Sequence, residues 1–157
     1  MDNRITIRAA TDADVAFLAE SNGAMALETE RKVLDIEVLT RGTQALLDEP
    51  TRGFHRIAER GGMPVGTLMV TREWSDWLNG DWWWIQSVYV IPQARRSGVF
   101  TALYADIEAH ARSTPRVAGL RLYVENENQN ALATYAALGM VDSGYRLLET
   151  HFAKVNG

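Results

Sequence analysis

The fold is decided by the segment IQSVYVIPQARRSGVFTALYADIEAHA, residues 85–111. Its first part is rich in β-branched and aromatic side chains and stops at Pro92, which is typical of a β-strand. Its last part carries apolar residues at helical spacing: Val99, Leu103 and Ile107. The residues between the two parts are small and basic. The segment therefore predicts a strand, a tight turn and a helix.

The turn between this strand and helix has the features of an anion site. Backbone N–H groups of a tight turn point the same way, and the helix start adds unpaired N–H groups and its positive dipole end. Arg95 and Arg96 add full positive charge. These features predict a site for a phosphate or pyrophosphate. Neither Gly-x-x-x-x-Gly-Lys-Ser/Thr nor Gly-x-Gly-x-x-Gly is found, which argues against a P-loop nucleotidase and a dinucleotide-binding fold.

The pattern Arg95-x-x-Gly98-x-Phe100 resembles motif A of the Gcn5-related N-acetyltransferases, which reads Arg/Gln-x-x-Gly-x-Gly/Ala. In that family the loop and the helix start hold the pyrophosphate of acetyl-CoA. Phe100 departs from the pattern, which has a small residue there, so its ring must turn away from the phosphates. The cofactor-binding residues implied by this motif are Arg95, Arg96, Ser97, Gly98, Val99, Phe100 and Thr101.

A second segment resembles motif B of the same family. The string Asn128-x-x-Ala131-x-x-x-Tyr135-x-x-x-Gly139-Met140 is similar to Asn-x-x-Ala-x-x-x-Tyr-x-x-x-Gly-Phe. The resemblance implies that Asn128 binds the cofactor and that Tyr135 is catalytic, its hydroxyl returning a proton to the leaving CoA thiolate. A buried helix tyrosine with a satisfied hydroxyl is the alternative.

The same resemblance implies that the backbone of the strand before motif A contacts the cofactor. In the family this strand splays away from the next one, so that its backbone groups meet the pantetheine arm and the acetyl carbonyl. Here those positions are Val88 and Val90. Their side chains can belong to the core at the same time, because a strand commits side chains and backbone to different partners.

The resemblance implies an α+β fold in a single domain, residues 1–157. We expect a central, mostly antiparallel sheet of six to seven strands, splayed between the fourth and fifth and flanked by about four helices. The patterns predict, within a few residues, strands at about 4–9, 53–60, 63–73, 82–91 and 117–124, helices at about 12–27, 35–48, 98–113 and 129–138, and one or two C-terminal strands.

Composition narrows the class of protein. The chain has 157 residues, a net charge of −4 and no cysteine. The acidic balance argues against a nucleic-acid partner, since such proteins are normally basic. The three histidines share no metal-ligand spacing, so we expect no metal. Neither a signal peptide nor a long apolar run is found, so we expect a cytoplasmic protein without membrane contact.

The sequence does not name a general base. Some family members carry a Glu on the strand that here reads Trp84-Ile85-Gln86-Ser87, where no carboxylate stands. Gln86 cannot accept a proton at neutral pH and can only orient water. The amine therefore either arrives neutral or loses its proton through water to one of the acids Glu28, Glu30, Glu73 or Asp76.

Candidate acceptor-binding residues lie in two places. In this family the connection between the first two helices covers the acceptor pocket, and here it holds Glu28 and Glu30, which suit a cationic amine. Trp84 and Gln86 on the strand are the other two candidates. A solvated helix end is the alternative interpretation of either glutamate.

All five tryptophans lie between Trp74 and Trp84. On a strand, Trp82 and Trp84 face one way and Trp83 faces the other. Rings beside acids can hold an amine by cation–π contact. Such clusters also form a core or a subunit interface, as in a homodimer. Both interpretations stay open at this point.

The resemblance as a whole implies an acetyl-CoA-dependent N-acetyltransferase that acts on a primary amine of a small molecule or on a free α-amino group. The amine would attack the thioester directly, so catalysis is mostly positioning. A non-catalytic acyl-CoA-binding module is one alternative, and an acetyltransferase acting on a protein is another. Tyr135 argues against the non-catalytic module, because binding alone needs no acid.

Overall fold

The computed structural model describes residues 2–152. Contacts divide the chain into a larger unit that ends at Arg121 and a smaller unit that begins at Leu122. No helix within the described residues is long and apolar enough to cross a membrane.

The larger unit is built on one five-stranded mixed sheet. Its strands lie in the order β1-β2-β3-β4-β5; β1 to β4 are antiparallel neighbours, and β5 is parallel to β4. The strand bounds are β1 Ile5–Ala9, β2 Gly53–Arg60, β3 Met63–Ser75, β4 Gly80–Val90 and β5 Val117–Arg121. The helices of this unit are α1 Val15–Glu30, α2 Ile36–Asp48 and α3 Val99–Ser113.

The smaller unit contains α4, Gln129–Ala137. Gly139, with φ of 91°, follows its end as a left-handed cap, and the Met140 N–H donates to the Tyr135 carbonyl at 3.0 Å. The four α-helices and the mostly antiparallel sheet of residues 2–152 confirm the predicted α+β fold.

The predicted strand count of six to seven is wrong for the described residues, which contain five strands. The difference lies after α4, where residues 140–152 form no strand. Apolar residues alone do not make a strand, since a strand also needs a neighbour to complete its ladder of hydrogen bonds. A local turn occupies part of this stretch instead, with the Gly144 N–H donating to Asp142 Oδ1 at 2.8 Å.

The two faces of the sheet carry different helices. On one face α3 packs against the strands; there Phe54 meets the edge of Trp83 at 5.2 Å between ring centroids, and Arg56 binds Asp106. Helices α1 and α2 cover the other face. The register aligns His55 with Met69 and Met69 with Gln86, so these three share the α1–α2 face.

A buried carboxylate fixes the entry of α1. Asp14 accepts two bonds from the Arg8 guanidinium, both at 2.8 Å, and one from the Thr11 N–H at 2.8 Å. These bonds hold the pKa of Asp14 below its ordinary value, the Arg8 side chain being the largest cause. The carboxylate thereby joins β1 to the helix start by charged hydrogen bonds, which are the strong kind.

We expect Asp14→Asn to lower the free energy of unfolding by about 2 kcal/mol, because the amide loses the charge and leaves Arg8 short of an acceptor. Asp12→Asn is the matched control, since the side chain of the exposed Asp12 in the same turn accepts only from the Gln44 amide among the described residues. This substitution should change stability by less than about 0.5 kcal/mol. Urea unfolding measures both. Equal effects of the two substitutions would contradict the role of Asp14.

Candidate active site

The predicted anion loop, residues 95–101, lies between the end of β4 and the start of α3. A short 3₁₀ turn, Pro92–Ala94, follows β4. Arg96 and Gly98 then take positive φ angles of 60° and 87°, and Gly98 caps α3. The first helical hydrogen bond of α3 runs from the Ala102 N–H to the Gly98 carbonyl, at 3.0 Å. The N–H groups of the residues before Ala102 therefore take no part in the hydrogen-bond ladder of α3. The loop thus gathers N–H groups at a helix N-terminus.

Protein contacts hold this loop in place. Arg60 Nη2 donates to Ser97 Oγ at 2.9 Å, and that hydroxyl donates to the Ala94 carbonyl. Arg95 Nε donates to the Val90 carbonyl at 3.0 Å. Apart from its chain neighbours, no atom of the described residues comes within 4 Å of an ideal Cβ at Gly98. The loop is therefore anchored from behind and open at Gly98.

Glu28 meets the loop rather than standing alone. Its carboxylate binds Arg95 Nη2 at 2.7 Å and accepts from the Tyr89 hydroxyl at 3.0 Å. The Arg95 hydrogen bond is the main reason why the pKa of Glu28 lies below its ordinary value. Glu30 instead lies near Lys32, 3.7 Å away at the surface. Of the two predicted glutamates, the structure brings only Glu28 to the loop.

Strand β4 is distorted just before it ends. Ser87 has a φ of 51°, and the register with β3 shifts between Thr67 and Met69, which are paired with Tyr89 and Gln86. Two residues of β4, Ser87 and Val88, therefore stand opposite one residue of β3, which is a β-bulge. Bulges are frequent beside active sites because they redirect side chains. No motif in the sequence indicates this bulge.

Strand β4 extends past the end of its neighbour β5. The register with β5 ends at the pair Trp84–Arg121, while β4 continues to Val90. The predicted positions Val88 and Val90 lie in this extension. Trp84 and Gln86 lie on the α1–α2 face, where Trp84 Nε1 donates to Glu73 at 3.2 Å and Gln86 donates to Thr71 at 2.7 Å.

A cavity of about 240 Å³ opens on the α1–α2 face beside the bulge. Its lining includes Asn22 of α1, Thr43 of α2, His55 of β2, Met69 of β3 and Ser87 of β4. His55 is only 4% exposed, and its Nε2 has no hydrogen-bond partner among the described residues. Burial lowers the pKa of His55 to about 4, so the ring is neutral at pH 7.

The sequence predicts no chemistry for His55, because a single histidine in a strand carries no motif. The available signal was positional: His55 alternates with the residues of β2 that face α3, such as Phe54 and Arg56. Its place beside the cavity becomes visible only when the strand register brings Met69 and Ser87 to the same face.

The tryptophans serve two purposes. Trp83 is 4% exposed and packs in the core beneath α3, as one of the two interpretations proposed. Trp74 and Trp77 are exposed and line a second, wider depression of about 460 Å³ together with Trp82 and Arg121. There the Arg121 guanidinium lies 3.9 Å from the centroid of the Trp82 ring. That depression lies at the far end of β4 from the anion loop.

In the smaller unit, the two predicted residues belong to α4. Asn128 caps the helix, its Oδ1 accepting from the Ala131 N–H at 3.1 Å. Tyr135 is partly buried, and this burial raises the pKa of its hydroxyl. The phenol therefore keeps its proton at neutral pH.

A family model described as acetyltransferase (GNAT) family matches residues 17–140. The chain belongs to the GNAT acetyltransferase family. A crystal structure of a possible acetyltransferase from Clostridium difficile 630 matches this GNAT chain with 41% identity and a TM-score of 0.90, covering 96% of this chain and 99% of the other. No curated protein matches the chain.

Two more distant structures share the GNAT fold. An integron cassette protein from the mobile metagenome of Cole Harbour Salt Marsh has 23% identity and a TM-score of 0.82, over 95% of this chain and 91% of its own. A predicted acetyltransferase from Clostridium acetobutylicum, solved with acetyl-CoA, has 18% identity and a TM-score of 0.76. The match covers 94% of this chain and 96% of the other. Within residues 2–152 of the GNAT chain, no group of three or more His, Cys, Asp or Glu could hold a metal ion.

The buried His55 should make the stability of this GNAT protein sensitive to acid. Its pKa falls from 6.5 to about 4 on folding, so between these values the unfolded state binds more protons and stability falls as pH falls. The loss from this one group is about 3 kcal/mol between pH 7 and pH 4. His55→Leu should lose that much less over the same range than the wild type, as measured by urea unfolding.

His110→Leu is the control for this experiment, since His110 is exposed on α3. It should follow the pH dependence of the wild type. A wild type and a His55→Leu variant with the same pH dependence would show that His55 does not titrate with folding.

Proposed function

We propose that residues 1–157 act as one acetyltransferase domain that transfers the acetyl group of acetyl-CoA to a primary amine of a small molecule or to a free α-amino group. The observation that carries this proposal is the anchored loop at residues 95–101, which opens at Gly98 and leads into the N-terminus of α3. The distant relative from Clostridium acetobutylicum that was solved with acetyl-CoA supports the choice of donor.

The anion loop is the proposed site of the CoA pyrophosphate. N–H groups from Arg96 to Thr101 would donate to the phosphate oxygens, aided by the α3 dipole. Arg95 contributes positive charge while it keeps its hydrogen bonds to the Val90 carbonyl and to Glu28. Arg96 is exposed and within the loop, so its side chain can approach the phosphates directly.

The backbone extension of β4 at Val88 and Val90 is the proposed contact for the pantetheine arm and the thioester carbonyl. An N–H group that meets the carbonyl oxygen stabilises the negative charge that forms there when the amine attacks. The amine nitrogen forms its bond to the thioester carbon as the carbon–sulfur bond breaks. The new amide nitrogen then gives its extra proton to water.

Tyr135 is the proposed acid, on the resemblance of its segment to motif B. Its proton passes to the departing CoA thiolate and is replaced from solvent. The raised pKa of Tyr135 keeps the hydroxyl protonated, and so able to donate, throughout the neutral range. Asn128 is proposed to contact the cofactor while it caps α4.

The acceptor is proposed to bind on the α1–α2 face of β4, near Trp84 and Gln86, with Glu28 and Glu30 on the helix side. One observation favours a second candidate function, a module that binds acyl-CoA without catalysis: residues 84–87 of β4 include no carboxylate that could serve as a base. Release of free thiol from acetyl-CoA in the presence of a panel of primary amines separates the two. The enzyme releases thiol with at least one amine, whereas the module releases none.

Gly98→Ala should weaken the binding of acetyl-CoA by about tenfold or more, because the added Cβ projects from the open side of the loop and strains its positive φ. Gly62→Ala is a matched control: Gly62 also has a positive φ, 77°, and open surroundings, but it lies in the β2–β3 hairpin. Both variants should lose about 1 kcal/mol of stability. Calorimetry with acetyl-CoA distinguishes them, and equal affinities would place the cofactor elsewhere.

Tyr135→Phe should keep the affinity for acetyl-CoA and lower kcat by about ten- to a thousandfold, the size of a lost general acid. Tyr145→Phe, an exposed tyrosine of the same unit, should leave kcat unchanged. Steady-state thiol release with the best amine of the panel measures both. Normal turnover of Tyr135→Phe from pH 6 to pH 9 would assign Tyr135 a structural role.

A further inference from the structure

Arg60, at the end of β2, differs from the other half-buried arginines of the larger unit. Arg8, Arg56 and Arg121 are half-buried as well, and each binds a carboxylate at 2.8 Å or less. The Arg60 guanidinium donates to Ser97, to Oγ at 2.9 Å and to the carbonyl at 3.5 Å, and no carboxylate of the described residues binds it. Its positive charge is therefore not neutralised by an ion pair within residues 2–152.

One atom of this side chain is also enclosed without a hydrogen bond. Arg60 Nε is buried and has no acceptor among the described residues. A buried donor without a partner and a half-buried charge without a counter-charge both cost stability. Such groups persist mainly where function requires them. Arg60 is therefore a candidate for a functional role.

The contact of Arg60 with Ser97 lies between the two left-handed residues of the anion loop. Ser97 stands between Arg96 and Gly98, which have positive φ angles of 60° and 87°. Its hydroxyl accepts from Arg60 and donates to the Ala94 carbonyl of the 3₁₀ turn after β4. The guanidinium thus ties the end of β2 to a loop 37 positions further along the chain.

This tie bears on the conformation that the loop needs for binding. Positive φ is disfavoured at a residue other than glycine, so Arg96 needs contacts that hold its backbone, and the Arg60–Ser97 hydrogen bond lies directly beside it. The N–H groups of residues 96–101 are the proposed donors to the CoA pyrophosphate. A contact that keeps their directions fixed lowers the ordering cost of binding. The charge of Arg60 adds to the positive potential of the loop.

We infer that Arg60 is a positioning residue for the acyl donor: it holds Ser97, and thereby the N–H groups of the anion loop, in the conformation that receives the CoA pyrophosphate. This inference rests on the proposed function. Arg60 acts through the loop and not by contact with the 3′-phosphate at the adenosine end of CoA. The residue serves donor binding at a cost in stability.

Three single variants and one double variant test the inference by calorimetry with CoA. Arg60→Met removes the hydrogen bonds and the charge and should raise the Kd about tenfold, while Ser97→Ala leaves the charge and should raise it about fivefold. Arg60→Lys keeps a charged donor and should stay within about threefold of the wild type. In the double variant Arg60→Met/Ser97→Ala the Kd should rise about tenfold, as in Arg60→Met alone, because both substitutions remove the same contact.

Stability and a second ligand separate this role from other ones. Arg60→Met should leave Tm unchanged or raise it by about 2 °C, because it removes a buried donor without a partner. Dephospho-CoA, which lacks the 3′-phosphate, should lose affinity for Arg60→Met by the same factor as CoA. Arg112→Met is the matched control, since Arg112 is an exposed arginine at the other end of α3, 3.7 Å from Glu108. It should change neither the Kd nor Tm.

Three results would overturn the inference. The Kd of Arg60→Met equals that of the wild type, the two single effects multiply to about fiftyfold in the double variant, or the loss of affinity occurs with CoA and not with dephospho-CoA. If Arg60→Met does not fold, Ser97→Ala at an exposed loop position takes its place, and an unchanged Kd of that variant overturns the inference. A wild type that does not bind CoA overturns the proposed function and this inference with it. A wild type that binds CoA and shows any of the three results loses this inference alone.

Discussion

The active-site side of the molecule depends on a missing side chain at Gly66, where the start of α3 rests on β3. A Cβ at this position would lie 2.7 Å from the Cγ1 atom of Val99 and 3.2 Å from the Tyr89 carbonyl oxygen, so no other residue allows the helix to come so close. This contact fixes the N-terminus of α3 against the end of β4. The loop that joins them then has little freedom, and Arg60 and Arg95 secure it by hydrogen bonds to Ser97 and Val90. A preorganised set of N–H groups follows, without the ordering cost that a mobile loop pays when it binds an anion.

The two halves of strand β4 differ in how they are paired. Its first half is paired on both sides, by β3 and by β5, and contributes Trp83 to the core beneath α3. Its second half has lost the β5 neighbour and contains the bulge at Ser87. Past Trp84 the backbone of β4 has no β5 partner, and the bulge locally interrupts its ladder with β3. The strand thus combines a first half that is paired on both sides with a second half that is paired with β3 alone.

How much of this could be predicted depends on whether the signal is local. Pro92, Gly98 and the apolar spacing of α3 are neighbours in sequence, and they predict the β4–loop–α3 unit within a few residues. The Ser87 bulge could not be predicted in this way, because serine has no preference for positive φ and the bulge arises from the pairing with β3. The position of His55 beside the cavity could not be predicted either, because it depends on the register of three strands. The predicted C-terminal strands failed for the complementary reason: their apolar residues carry a local signal, but no described strand pairs with residues 140–152.

Charge is distributed unevenly around β4, and this distribution bears on the missing general base. Arg95, Arg96 and the α3 dipole concentrate positive charge at the loop, while Glu28 neutralises part of it on the α1 side. The cavity at His55, on the same face as Gln86, contains no full charge among its described lining residues. An amine held beside this uncharged lining is desolvated, and desolvation favours its neutral form by lowering its pKa. On the proposed function, the site would therefore select the nucleophilic neutral amine from solution, and a carboxylate at the position of Gln86 would work against this by stabilising the ammonium form.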